Sequence, residues 1–186
     1  MRKFTLLLCG ALMAAGIVAA RPQPAHAELK PPVIAVLDHQ RVLQEAVAMK
    51  GIQKQLDSQA EVYKKEIDAQ EDKLRSAEQE LAKQRSILSQ DAFNQKRRDF
   101  EKQVTELQKS AAIRKRNLDQ AFNEARNKVV QTMLQITEEV AREQGANMVL
   151  AQQMVLVADK SLDITDVVVD RVNKKLPQVA VSLPKK

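Results

Sequence analysis

The sequence predicts a mainly α-helical chain with a small β body, in which a long antiparallel helical hairpin, coiled-coil-like, projects from a body of short strands. Three observations lead there. Residues 47–144 hold no proline and one glycine, Gly51, and are dominated by Ala, Glu, Lys, Gln, Arg and Leu, the composition of long helices. Ala60, Ile67, Leu74, Leu81 and Leu88 recur at every seventh position, as the seam of a helix pair does. The ends of this stretch carry short apolar runs that are too brief for helix cores and read as buried strands.

The elements follow in order. Residues 1–27 form a secretory signal. Arg2 and Lys3 supply the charged start, an apolar run extends from Phe4 to Ala20, and Ala25-His26-Ala27 has the small-x-small form of a cleavage site. Its removal leaves about 160 residues, enough for one domain. It also takes Arg2, Lys3 and Arg21, which halves the formal charge of +6. Much of the basicity therefore belongs to targeting, not to a nucleic-acid surface. Export out of the cytoplasm is therefore expected. The only cysteine, Cys9, leaves with the signal, so no disulfide holds the fold.

Residues 28–46 and 145–177 are expected to form the β-rich body. Val33-Ile34-Ala35-Val36-Leu37 is a continuous apolar run ending at Asp38, which can cap a short helix through Gln40-Arg41-Val42-Leu43. A lone strand needs partners, and Asn147-Met148-Val149-Leu150-Ala151 and Met154-Val155-Leu156-Val157 are the candidates.

Residues 47–144 are expected to form the hairpin. One helix of that length would reach roughly 140 Å and would keep the strands apart. Folding it at Ser89-Gln90-Asp91 brings them together, with Ser89 as N-cap and Asp91 in the first turn. Each arm would then be roughly 60–80 Å long. The second arm carries Phe93, Phe100, Val104, Leu107, Ala111, Leu118, Phe122, Ala125 and Val129, and its stripe widens at Val129, Val130, Met133, Leu134, Ile136 and Val140. Gly145 ends it. Asp163-Ile164-Thr165-Asp166 opens a last short helix with Ile164, Val167, Val168, Val172 and Leu176 on one face, Pro177 stops it, and residues 178–186 read as a loose tail.

The chemistry-bearing residues are few. There is no glycine-rich phosphate loop, and the sole histidine after the signal, His39, has no evident metal partners, so no enzyme activity, cofactor or metal is expected. Two basic groups stand out: Lys96-Arg97-Arg98 near the hairpin turn, and Arg114-Lys115-Arg116, with no acid between Leu107 and Leu118. On exposed helices they would attract anionic partners or an anionic membrane surface. The apolar stripe serves first to join the two helices. A leftover margin, with Met49, Tyr63 and Phe100 as candidates, would face other chains. No aromatic side chain for base stacking lies within either basic group, which argues against nucleic acid.

The strand followed by Asp38-x-x-Arg41-Val42-Leu43-Gln44, the long hairpin, Met148-Val149-Leu150, Val155-Leu156-Val157 and Asp163-Ile164-Thr165 together resemble the Skp (OmpH-like) family of periplasmic chaperones. The resemblance runs from about Val33 to Leu176 and is carried by the two ends, the hairpin being generic heptad sequence. It implies a homotrimer with three helical tentacles around a cavity that holds unfolded outer-membrane proteins without ATP. In such a trimer Val33, Leu37 and Val155 of the strands, and Val129 and Met133 of the widened stripe, are the expected contacts between copies. The alternative is a structural coiled-coil spacer or adaptor of the envelope, which would not need the short strands.

Overall fold

The computed structural model describes residues 30–184, and the expected signal, 1–27, lies outside them. The order is β1 (Ile34–Leu37), α1 (His39–Glu45), α2 (Val47–Gln84), α3 (Gln90–Glu143), β2 (Met148–Ala151), two 3-10 turns (Gln152–Met154 and Lys160–Leu162) and α4 (Thr165–Lys175). At 1.5 Å per residue, α2 spans about 57 Å and α3 about 81 Å. They form the expected antiparallel hairpin, and the longer α3 continues into the body beside α4.

Local chemistry sets most boundaries as anticipated. Asp38 accepts from the N–H groups of Gln40 and Arg41 and starts α1. The N–H of Ala92 donates to Ser89 Oγ at 3.4 Å, and Asp91 sits in the first turn of α3. Gly145 adopts a φ of 73° just past α3, a left-handed conformation that a Cβ would disfavour.

β1 and β2 pair in parallel, Ile34 opposite Met148 and Leu37 opposite Ala151. The other edge of β1 is also occupied: Val36 bridges Asp163, and the N–H of Ile164 donates to Val36 O at 3.0 Å. Asp38 N–H donates to Thr165 Oγ1, which locks the end of β1 to the start of α4. Ala35, Val36 and Leu37 are all buried. The core lies at the hairpin base, where Val42, Ile52, Leu56, Ala125, Val129, Met133, Ile136, Val140, Ile164, Val168 and Val172 meet.

Three expectations change. Val155-Leu156-Val157 is not a strand. Both edges of β1 are taken, the turn at Gln152–Met154 leads the chain off β2, and Leu156 and Val157 are almost wholly exposed. On α4 the buried face holds Val169 in place of Val167, because the helix starts at Thr165 and presents Thr165, Val168, Val169 and Val172 to the core. The segment after Pro177 is not loose over its described part. Val179 is buried, Val181 and Leu183 pack against the core, and the side chain of Gln55 on α2 is bonded to the backbone of both valines.

Candidate functional site

The hairpin divides at Arg114. Its side chain leaves α3, crosses to α2 and ends with Nη1 2.5 Å from Glu66 Oε2 and the guanidinium carbon 4.9 Å from the centre of the Tyr63 ring. Arg114 is 9 % exposed. This overturns its expected place in an exposed basic group. At its register on the helix it points into the seam, while neighbouring Lys115 and Arg116 remain outside. Tyr63 is correspondingly half-covered by a cation.

From Arg114 toward the body the seam closes, with Leu56, Ala121, Ala125 and Val129 buried. From Arg114 toward the turn no side chain between positions 57 and 113 is buried. Ile67, Leu74 and Leu81 on α2 and Phe100, Val104 and Leu107 on α3 are only half-covered. Two helices can screen only one side of each seam residue, and no third element covers the rest. A groove of about 420 Å³ on one side is lined by Ile67, Leu74, Phe100, Val104 and Leu107. Another of about 750 Å³, lined by Gln70, Lys73, Leu74, Lys102, Gln103 and Leu107, is also open. Leu74 and Leu107 line both, so the seam is one layer of side chains thick. Of the three residues singled out for their apolar margin, Phe100 lines the smaller of the two grooves, Tyr63 lies under Arg114, and Met49 packs at the base against the core.

The remaining basic residues stand outside the seam. Lys96 Nζ donates to Gln84 Oε1 at 2.7 Å across the turn, Arg97 lies 3.7 Å from Glu101, and Arg98 donates to Gln95. All three are exposed, as are Lys115 and Arg116.

The body presents a different surface. Val129 and Met133, expected between copies, are buried inside this chain beneath its own helices, and Leu37 is equally enclosed. They have no surface left to give a second copy. Val33 is half exposed, and Val155 is partly covered. Among the apolar side chains that the body leaves exposed are Leu134, Met148, Met154, Leu156 and Val157. Among the described residues β2 pairs only with β1, so its outer edge is open beside this apolar set. A shallow cleft between α3 and β2, about 320 Å³, is lined by Leu134, Thr137, Ala141, Ala146, Met148 and Val149. Sequence reasoning had Leu134 and Leu156 as parts of a stripe and a strand. The exposure of Leu156 follows from how the turn at Gln152–Met154 departs, which no local pattern encodes.

Among the described residues no cluster of His, Cys, Asp or Glu could hold a metal, and no helix is long and apolar enough to cross a membrane. The arrangement offers extended, open, half-apolar surfaces.

Comparison with known proteins gives this geometry a family. The profile described as outer membrane protein (OmpH-like) matches residues 33–172. A Skp-like protein of Pseudomonas aeruginosa is 32 % identical over 181 residues, covering 94 % of this chain and 99 % of its own. A crystal structure of an outer membrane chaperone candidate (OmpH-like) from Caulobacter crescentus CB15 superposes with a TM-score of 0.76 at 17 % identity, over 85 % of this chain and 94 % of that one. The chain, with its long helical hairpin on a two-stranded body, belongs to the OmpH-like (Skp) family.

Proposed function

We propose that the chain is an ATP-independent holdase of the periplasm, which binds unfolded outer-membrane β-barrel proteins between the hairpins of a homotrimer and prevents their aggregation. The observation that carries the reading is the distal seam, one side-chain layer thick and open on both sides. Such a surface offers many small apolar contacts flanked by Lys73, Lys102 and Glu106, and no enclosed pocket for a defined small ligand. Binding by many weak contacts tolerates clients of unrelated sequence, and its strength comes from their number. Family membership supports a chaperone role, and the signal read in residues 1–27 supports export.

The trimer is supported by the uncovered apolar set of the body and the open edge of β2, which a second copy would cover. Lys96, Arg97, Arg98, Lys115 and Arg116 act in this reading as long-range attractors for anionic clients or an anionic membrane surface. Exposed charges reach about 8 Å at physiological salt, so they govern arrival more than residence. Phe100 is the first client-contact candidate.

The test is suppression of aggregation of a urea-denatured outer-membrane β-barrel protein on dilution, with no nucleotide present. Protection at stoichiometric trimer, and a slower salt-dependent on-rate for a variant with Lys96, Arg97 and Arg98 all replaced by Gln, are expected. No protection, or protection only with ATP, would overturn the reading.

A further inference from the structure

The segment after Pro177 lies beyond the residues matched by the family profile, yet it is seated with a definite pattern. Val179, Val181 and Leu183 turn toward the hairpin base, while Gln178, Ala180 and Ser182 face solvent. That is the period-two alternation of a strand, without a sheet. Its polar anchoring comes from Gln55 on α2. The carboxamide Nε2 donates to Val179 O at 2.9 Å, and Oε1 accepts from Val181 N at 3.1 Å. Nε2 also donates to Gly51 O on its own helix at 3.2 Å, which fixes the orientation of the fork.

A carboxamide bonded to the C=O of one residue and the N–H of the residue two further on reproduces the hydrogen-bond pair that a neighbouring strand would make. It reads the main chain and not side-chain identity. The remaining requirement is an apolar residue at alternate positions. Membrane-spanning strands of outer-membrane barrels alternate in the same way.

We propose that the surface at the hairpin base beside Gln55 is a recognition site for extended, alternately apolar chain segments, and that residues 178–183 occupy it as an intramolecular stand-in for a client strand. The identity of the displacing client rests on the holdase reading above; the site itself does not. A tethered segment competes at a high effective concentration, so the site would open only to clients already held elsewhere on the hairpin by other contacts.

The probe is a fluorescent peptide copying Pro177 to Pro184, measured against the intact chain, a chain ending at Pro177, and that shorter chain with Gln55→Ala. The shorter chain is expected to bind the peptide saturably, the intact chain roughly tenfold or more weakly because its own tail competes, and Gln55→Ala to weaken binding several-fold. No binding by a shorter chain with intact helical circular dichroism, or binding indifferent to Gln55→Ala, would overturn the site. Amide exchange on the intact chain provides a second measurement that does not depend on truncation. Val181 N–H is expected to be protected when the chain is free and to lose protection when a denatured β-barrel protein saturates it. Protection unchanged in the client complex would overturn the stand-in role. A client that does not bind at all would sink the holdase reading, while the peptide measurement would still decide the site.

Discussion

Arg114 and Glu66 are unequal partners. The guanidinium is almost enclosed, whereas the Glu66 side chain is 50 % exposed. Removing the carboxylate strands a buried cation, whose Nε lacks a hydrogen bond and whose Nη1 meets Glu66 through charge alone. Removing the cation leaves a carboxylate that water can solvate. Glu66→Ala is therefore expected to cost about 1–2 kcal/mol, and Arg114→Leu no more than about 1 kcal/mol, because an apolar side chain on Tyr63 replaces the charge and its need for a partner. Urea unfolding of the two variants gives the order, and the reverse order would show that the ion pair and ring stack are a net source of stability. A second pair carries a pH dependence. Arg171 on α4 grips both carboxylate oxygens of Glu143 on α3, at 2.8 and 2.6 Å, and these bonds hold the Glu143 carboxyl below its ordinary value of 4.5. A depressed carboxyl contributes stability that is present above 4.5 and lost as pH falls through the lower folded value. The melting temperature of Glu143→Gln should thus lie below wild type at pH 7, and the gap should close on acidification. A gap that stays constant down to acid pH would assign the effect to something other than this charge.

At the scale of elements, α2 starts without a cap of its own. Ala46 has no polar side chain to offer, and the N–H of Val47 donates instead to Asn173 Oδ1 on α4, at 2.8 Å. Asn173→Ala is expected to cost about 1 kcal/mol, as the loss of an N-cap does. Gly51, one turn into α2, is the opposite case, since a Cβ there would meet nothing within 4 Å. Gly51→Ala should stabilise the hairpin base by about 0.5–1 kcal/mol by lowering the entropy of the unfolded chain. Thermal unfolding checks both. The helix ends also show what a sequence reveals. Asp38, Ser89 and Gly145 were legible because each acts within three or so residues of itself. Asn173 was not, because its partner lies 126 positions away. Val155-Leu156-Val157 misled for a related reason. An apolar run signals that it needs cover, but whether an edge of β1 remains free depends on Asp163, further along the chain. The tail after Pro177 was read from its prolines and length, and its period-two valines found their anchor in a glutamine on a distant helix.

For the whole molecule the question is which apolar surface one chain covers and which it leaves. The widening of the α3 stripe at Val129 and Met133 suggested contact between copies, because no single partner helix could cover it. Residues of α1, α2 and α4 meet it together, so the stripe marks the body core. Apolar periodicity measures how much cover a helix needs and is silent on whether that cover comes from the same chain. The hairpin was legible for the same reason in reverse, since its heptads need only each other. The surface left over, which includes Leu134, Met148, Met154, Leu156 and Val157, makes the assembly testable separately from the fold. Leu37 is 5 % exposed, with core on all sides. A carboxylate there has no partner, and its desolvation costs several kcal/mol, comparable to the stability of a whole domain. Leu37→Asp is therefore expected to lose its helical signal and not merely to dissociate. A double variant, Leu156→Asp with Val157→Asp, places its charges in water within one chain, so the fold should survive with full helical content. If this face joins the copies, those charges become buried between them, and sedimentation should shift from trimer to monomer at micromolar concentration. A double variant that sediments with the wild type would move the interface elsewhere, and a wild type that is itself monomeric would remove the trimer on which the cavity depends.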